Sequence, residues 1–170
     1  MAYQIKISLC NIKPEIWRRL KIPGNITFAQ LHRIIQVAFG WQDYHLYNFQ
    51  FEEAVIANPD PYYAPGELYG DSKKEFDSAV TNISDFFDTH DKYIYEYDFC
   101  DSWDHEIVVE KRLKDIKSTA VPTCLGGARS RPPEDVGGPG GYEYFLGIIK
   151  DMKNPEREEY LDWARKDTRG

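Results

Sequence analysis

Two short stretches of the chain concentrate side chains that could bind a ligand or move protons. In the first, residues 101–105 (DSWDH), an indole, an imidazole and two carboxylates lie on one predicted turn. Together these groups can supply stacking, proton transfer and charge. The alternative interpretation is structural, because Asp and Ser side chains stabilise hairpin turns and Trp103 can pack over a sheet. Both interpretations of Asp101, Trp103 and His105 stay open at this point.

The second stretch, residues 122–142 (PTCLGGARSRPPEDVGGPGGY), holds half of the 12 glycines and four of the 10 prolines. A structureless segment of this length within a domain is either a functional loop or a linker. Arg129 and Arg131 stand close to Glu134 and Asp135, so a local ion-pair network is one explanation for order here. Exposed pairs contribute only about 0–1 kcal/mol each, too little to fix the segment. We therefore expect packing against the hairpin or a bound ligand to hold it.

The sequence lacks the common motifs of catalysis and cofactor binding. It has no nucleophile elbow, and its glycines fit neither the phosphate-binding loop of nucleotide hydrolases nor the dinucleotide fingerprint. Potential metal ligands occur without the spacing of a zinc or calcium motif. These residues are Asp98, Cys100, Asp101, Asp104, His105 and Cys124. We therefore predict no metal and no cofactor.

Composition favours a single cytoplasmic domain over residues 1–170. The net charge is −7 and the pI about 5.1, so a broad phosphate-binding surface is not expected and nucleic acid is disfavoured as a partner. The cysteines are odd in number and widely spaced, which is typical of reduced thiols. The N-terminus lacks the features of a secretory signal, and no apolar run is long enough to span a membrane.

Hydrophobic periodicity predicts an α+β fold. Alternating residues predict strands over 3–9, 16–22, 46–51, 93–99 and 106–110. Helical spacing predicts a helix over 28–39, delimited by a capping box at Thr27 and Gln30 and by Gly40. Two further helices are predicted, one over 142–152 and one that begins at Pro155. We expect a mixed, mostly antiparallel sheet of about five strands, with a crossing helix after the first hairpin and two C-terminal helices.

Three local features are less regular. Arg18 falls on the apolar face of its strand, where we expect a carboxylate partner because an unpaired buried guanidinium is costly. Residues 59–74 are rich in turn-forming residues and predict a surface loop with at most a short strand near 67–69. Residues 80–87 fit either a short helix or the end of a strand.

Several motifs are spread along the chain: WRRL, Leu31-His32, HLYNF from His45, YDFCDSW-x-HEI from Tyr97, and CLGGARSRPPEDVGGPGGYEYFL from Cys124. Together they resemble the plasmid pRiA4b ORF-3-like family, whose members are also called transposon passenger proteins of a resolvase type. The resemblance covers nearly the whole chain and implies a single α+β domain of unassigned role. The resolvase label does not imply recombination, which needs a nucleophilic serine, supporting arginines and a DNA-binding segment.

The resemblance also bears on metal binding. Family members often carry cysteines where this chain has Arg131 and Val136, which in those relatives looks like a metal knuckle with Cys124. Here only Cys124 remains, so no zinc knuckle is expected. The candidate binding residues are Asp101, Trp103, His105, Arg129, Glu134, Asp135 and His45.

Three functional hypotheses remain. The leading one is a module that binds a small ligand or a protein in a pocket between residues 101–105 and 122–141, because function concentrates on loops held by rigid elements. The alternative is a hydrolase that uses Asp101, His105, Glu134 and Asp135 with a divalent ion on oxygen ligands. A second alternative, an accessory interaction protein of a mobile element, depends on the family label alone.

Overall fold

The computed structural model describes residues 1–59, 73–114 and 121–167. Within these ranges the chain is α+β, as predicted, with one mixed sheet and four helices. The strands are β1 (Ala2–Leu9), β2 (Trp17–Pro23), β3 (Tyr47–Gln50), β4 (Ala54–Ala57), β5 (Lys74–Asp77), β6 (Lys92–Tyr97), β7 (Trp103–Leu113) and β8 (Thr123–Ala128). The helices are α1 (Phe28–Phe39), α2 (Ser84–Phe87), α3 (Gly138–Lys150) and α4 (Arg157–Asp167).

The sheet follows the order β5-β4-β3-β6-β7-β1-β2-β8. Every neighbouring pair is antiparallel except β4 and β5, which run parallel. In β1 the predicted alternation is observed, because Tyr3, Ile5 and Ile7 are fully buried while the residues between them are half-buried. The sheet therefore has one core face, and its opposite face carries partly exposed ion pairs such as Arg19 with Glu110.

Helix α1 covers the core face, and its predicted boundaries are confirmed. The Thr27 hydroxyl accepts a hydrogen bond from the Gln30 amide at 3.3 Å, while the Gln30 side chain accepts one from the Thr27 amide at 2.9 Å. Gly40 ends the helix at φ +85°, a conformation that glycine adopts without strain. The Phe28 ring lies 5.0 Å from that of Phe49 on β3, so the helix packs directly on the sheet.

The sheet has eight described strands, so the prediction of about five was too low. β4 and β5 have four residues each, too few for a clear alternation, and β5 is mostly exposed. β8 lies within the glycine-rich stretch that was predicted to be structureless. Its backbone pairs with β2 as an edge strand, an interaction that its own side chains do not signal.

Arg18 differs from the prediction as well. Its guanidinium donates to the main-chain carbonyls of Ala38 at 2.8 Å, of Trp17 at 2.8 Å and of Ala128 at 3.3 Å, rather than to a carboxylate. It also lies over the Phe39 ring, 5.0 Å from the centroid. Main-chain carbonyl oxygens of α1, β2 and β8 therefore satisfy this half-buried charge.

The remaining predicted elements are found with shifted boundaries. Residues 80–87 include the short helix α2, α3 begins four residues before Tyr142, and α4 begins at Arg157, two residues after Pro155. Asn154 still precedes α4 as a cap, since its side chain accepts from the Glu156 amide at 2.9 Å. The loop predicted over 59–74 lies mostly outside the described residues. None of the described helices has the length and apolar character needed to cross a membrane.

Candidate functional site

The candidate site forms at the end of the sheet where β6 ends and β3 begins. The antiparallel register pairs Tyr47 with Tyr97, and the Asp98 amide donates to the Leu46 carbonyl at 2.9 Å. This register places His45, just before β3, beside Asp98, just after β6. Asp98 itself has φ +60°, and its Oδ1 accepts from the Cys100 amide at 3.0 Å, so the turn after β6 fixes its carboxylate.

Residues 129–137, here called the PPED loop, fold onto the turn between β6 and β7. The Gly137 amide donates to Asp101 Oδ2 at 3.0 Å. At Gly138, with φ +67°, a Cβ would overlap the Asp101 carbonyl oxygen, so the close approach requires glycine. Asp101 therefore anchors the loop, and the stretch is ordered by packing against the hairpin, one of the two explanations that we expected.

Arg131 anchors the other side of the PPED loop. Its Nη1 lies 2.8 Å from Asp167 Oδ2 at the end of α4, and both side chains are more than nine-tenths buried. Its Nε donates to the Gly40 carbonyl at 2.6 Å, and its guanidinium lies 4.9 Å from the Trp41 ring centroid. Arg131 therefore does not join the local ion-pair network predicted for this segment. Its carboxylate partner is Asp167 of α4 rather than Glu134.

Glu134 points inward from the PPED loop and is 4% exposed. Its Oε1 accepts a hydrogen bond from the Gln42 amide at 2.7 Å. Its Oε2 is buried and has no hydrogen-bond partner among the described residues, although it lies 3.8 Å from His45 Nε2. Burial raises the pKa of the Glu134 carboxyl above its usual range, with the Gln42 amide opposing that shift.

Three carboxylates surround the imidazole of His45, and we call these four residues the His45 cluster; the donor atoms of His45, Asp98 and Asp135 all lie within 4.8 Å of one another. His45 Nε2 lies 3.2 Å from Asp135 Oδ1, 3.6 Å from Asp98 Oδ2 and 3.8 Å from Glu134 Oε2. His45 Nε2 is itself buried and has no hydrogen-bond partner within the described part of the chain. Asp98 is almost fully buried, whereas the Asp135 side chain is 70% exposed and forms the outer edge of the cluster.

Two predicted site residues, Trp103 and His105, are fully buried in the core instead. The Trp41 indole donates to His105 Nε2 at 3.2 Å, and His105 Nδ1 lies 2.8 Å from the Trp103 carbonyl oxygen. These partners fit a neutral imidazole with its proton on Nδ1, and burial lowers its pKa to about 4. Of the four residues named for a hydrolase, only Glu134 and Asp135 come together in the His45 cluster.

The structure also shows which residues the sequence reasoning misplaced or missed. Arg129 is exposed at φ +67°, outside the His45 cluster. Asp98 was named only as a potential metal ligand without motif spacing and was expected to continue a strand, yet it joins the cluster because the strand ends at Tyr97. Its position inside the motif YDFCDSW was the available signal.

A cleft of about 490 Å³ opens on the outer side of the PPED loop, between the loop, α3 and α4. Its walls include three aromatic rings and three carboxylates, those of Tyr144, Tyr160, Trp163, Asp135, Glu156 and Glu159. The rings of Tyr144 and Tyr160 lie 6.4 Å apart, and those of Tyr160 and Trp163 lie 6.5 Å apart. We call this the acidic–aromatic cleft. It borders the predicted loop, but its other wall is formed by α3 and α4 rather than by residues 101–105.

Comparison with known proteins now identifies the family. The family model for plasmid pRiA4b ORF-3-like proteins matches residues 1–168. The chain belongs to the plasmid pRiA4b ORF-3-like family. This confirms the resemblance drawn from the sequence motifs.

Two relatives of this pRiA4b ORF-3-like protein illustrate the family. It is 33% identical over 162 residues to the uncharacterized protein y4hQ of Sinorhizobium fredii, covering 95% of this chain and 79% of the relative. It is also similar to the crystal structure of a protein of unknown function, MM3350 from Methanosarcina mazei, with 32% identity and a TM-score of 0.78. That similarity covers 95% of this chain and 88% of the other. The biochemical role of these relatives is unassigned, as the resemblance implied.

Proposed function

We propose that this protein is a binding module whose acidic–aromatic cleft takes a small organic cation, such as an alkylammonium group. The observation that carries the proposal is the lining of the cleft, in which Tyr144, Tyr160 and Trp163 share the walls with carboxylates and every charged lining residue is acidic. Aromatic faces attract cations through the ring quadrupole, by about 0.5–1 kcal/mol each at exposed sites. Carboxylates at the rim add attraction at long range.

The walls of the cleft are held in place by contacts that do not involve a ligand. The Arg131–Asp167 ion pair ties the end of α4 to the PPED loop. The Phe145 ring on α3 lies 6.1 Å from Trp163 and 6.2 Å from Tyr160, so the two helices pack through aromatic contacts behind the cleft. A preformed cleft loses less conformational freedom on binding, which favours a recognition role.

The volume of the cleft restricts the ligand to a small molecule or to one side chain of a larger partner. Ligand pockets typically enclose about 300–1,000 Å³, and this cleft lies at the lower end of that range. Either ligand would present an ammonium-type group to the three rings. We also place the module in the cytoplasm, which its three free cysteines favour.

A pair of probes that differ only in charge tests the proposal. Choline and its neutral isostere 3,3-dimethylbutan-1-ol have nearly the same shape, so a true cation site distinguishes them. We expect choline to shift the Trp163 indole N–H resonance in a ¹H–¹⁵N correlation spectrum, with a dissociation constant of about 1 mM. The neutral alcohol should give a much smaller shift at the same concentration.

Two variants control for nonspecific charge effects. Glu159→Gln removes one carboxylate from the cleft and should weaken choline binding, whereas Glu143→Gln removes an exposed carboxylate of α3 that does not line it. Equal shifts with choline and the neutral alcohol would contradict the proposal. Equal weakening by the two substitutions would do so too.

A further inference from the structure

We infer that the His45 cluster is a binding site for one first-row divalent metal ion of the Mn²⁺ or Zn²⁺ type. Three carboxylate oxygens lie 3.2, 3.6 and 3.8 Å from His45 Nε2. Four ligands about 2.1 Å from a tetrahedral metal ion lie about 3.4 Å from one another. The separations from His45 Nε2 bracket that value, and the donor atoms of His45, Asp98 and Asp135 all lie within 4.8 Å of one another. An ion therefore fits among these three side chains after small adjustments, with Glu134 as the neighbouring fourth carboxylate.

Burial gives a second and independent argument. Glu134 Oε2 and His45 Nε2 are both buried and lack a hydrogen-bond partner among the residues described. A buried polar atom without a partner destabilises the fold, and such atoms are rare in native proteins. These two atoms lie 3.8 Å apart. Coordination of one ion would satisfy both atoms at once.

Glu134 and Asp98, the two buried carboxylates, each have their second oxygen held by a main-chain amide. Glu134 Oε1 accepts from the Gln42 amide, and Asp98 Oδ1 accepts from the Cys100 amide. The His45 ring also packs edge-on against Tyr97, with centroids 5.7 Å apart. Contacts of this kind orient metal ligands and raise affinity. Each of these two carboxylates thus has one oxygen fixed by the backbone and the other within 3.8 Å of His45 Nε2.

The donor set limits which ion the site would hold. Imidazole nitrogen suits zinc, iron, nickel and copper, whereas carboxylate oxygens suit manganese, magnesium and calcium. One imidazole with three carboxylates therefore favours Mn²⁺ or Zn²⁺ over Mg²⁺ or Ca²⁺. The ligands come from three separate segments of the chain, which explains why no motif spacing predicted them.

An ion here would connect three parts of the fold. His45 precedes β3, Asp98 follows β6, and Glu134 and Asp135 belong to the PPED loop. Asp135 also lines the acidic–aromatic cleft, so the ion would fix one wall of that cleft. The metal site does not depend on the proposed ligand, and either can fail without the other.

The test is calorimetric titration of the full chain, purified without a His tag and freed of metal with EDTA, against MnCl₂ and ZnCl₂. We expect one ion of at least one of these metals per chain. Glu134→Gln retains an oxygen for the Gln42 amide but removes the charge, and it should lower the affinity by about tenfold or more. Glu143→Gln, an exposed carboxylate on α3, should leave the affinity unchanged.

Asp135→Asn provides a second variant in case Glu134→Gln perturbs folding, because the Asp135 side chain is 70% exposed. It should also lower the affinity. Absence of binding at millimolar metal would overturn the inference. Unchanged affinity in folded Glu134→Gln or Asp135→Asn would overturn it as well.

Discussion

Replacement of Arg131 by Gln tests whether a buried ion pair holds the PPED loop and α4 together. The guanidinium contacts Asp167 Oδ2 at 2.8 Å and the Gly40 carbonyl at 2.6 Å, and it lies over the Trp41 ring. Glutamine cannot reproduce the charge or the full set of donors. Asp167 would keep one hydrogen bond from a side chain, the one that Gln42 Nε2 donates to its Oδ1 at 2.7 Å.

The expected loss follows from the burial of this pair. Removing one partner of a buried ion pair costs about 3–5 kcal/mol, because the other charge stays buried without compensation. Helix α4 has no fully buried residue, so its last turn can move to hydrate Asp167. We therefore expect the lower end of that range, about 3 kcal/mol in the free energy of unfolding.

Urea unfolding at pH 7 measures this change, and Arg165→Gln is the matched control on the same helix. Arg165 pairs with Asp162 at 2.7 Å, but both side chains are more than half exposed, so that loss should stay below about 1 kcal/mol. The double variant Arg131→Gln/Asp167→Asn should recover part of the loss, since no unpaired charge remains. Equal destabilisation by Arg131→Gln and Arg165→Gln would refute the reasoning.

Two further predictions concern the glycines of α3 and the buried histidine. Gly141→Ala would place a Cβ on the Val136 carbonyl oxygen and should destabilise the protein by roughly 1–3 kcal/mol in urea unfolding. At Gly140, in the same helix, an added Cβ meets open space, so Gly140→Ala should instead stabilise the protein by up to about 1 kcal/mol. If both substitutions stabilised the protein, or both destabilised it, the close approach of Gly141 to Val136 would be contradicted. Burial lowers the pKa of His105 to about 4, whereas in the unfolded chain the imidazole binds its proton near pH 6.5. Below about pH 6.5 the unfolded chain therefore binds more protons than the folded protein, and the free energy of unfolding falls. We expect it to fall by about 2 kcal/mol between pH 7 and pH 5. In urea unfolding across this range, the free energy of unfolding should change less with pH in His105→Gln than in the unsubstituted protein. Equal changes in the two proteins would count against a neutral buried imidazole.

Helix α1 was predictable because its signals are local. The capping box at Thr27 and the glycine at position 40 act within a few residues, and the apolar stripe between them needs only the helical period. Strand β1 was predictable for the same reason. Strand β7 was predicted only over 106–110, whereas it begins at Trp103, inside the stretch predicted to be a turn. Strand β8 was not, because it is formed by backbone pairing with β2, more than 100 residues away in the sequence.

The site was predictable in part. Glu134 and Asp135 lie in a segment that its composition predicted to be either a functional loop or a linker. Their partners His45 and Asp98 come close to each other only through the β3–β6 register. His105 seemed suited to chemistry because its neighbours in sequence are polar. In the fold it is buried among Phe39, Tyr95 and Trp41, and its Nε2 accepts a hydrogen bond from Trp41, 64 positions away in the sequence.

A crystal structure of the choline complex would locate the ligand directly. We predict density for the trimethylammonium group in the acidic–aromatic cleft, against the rings of Tyr144, Tyr160 and Trp163 and close to the carboxylates at its rim. Density for choline on another surface, with the cleft unchanged and unoccupied at saturating concentration, would contradict a role for this cleft in binding organic cations.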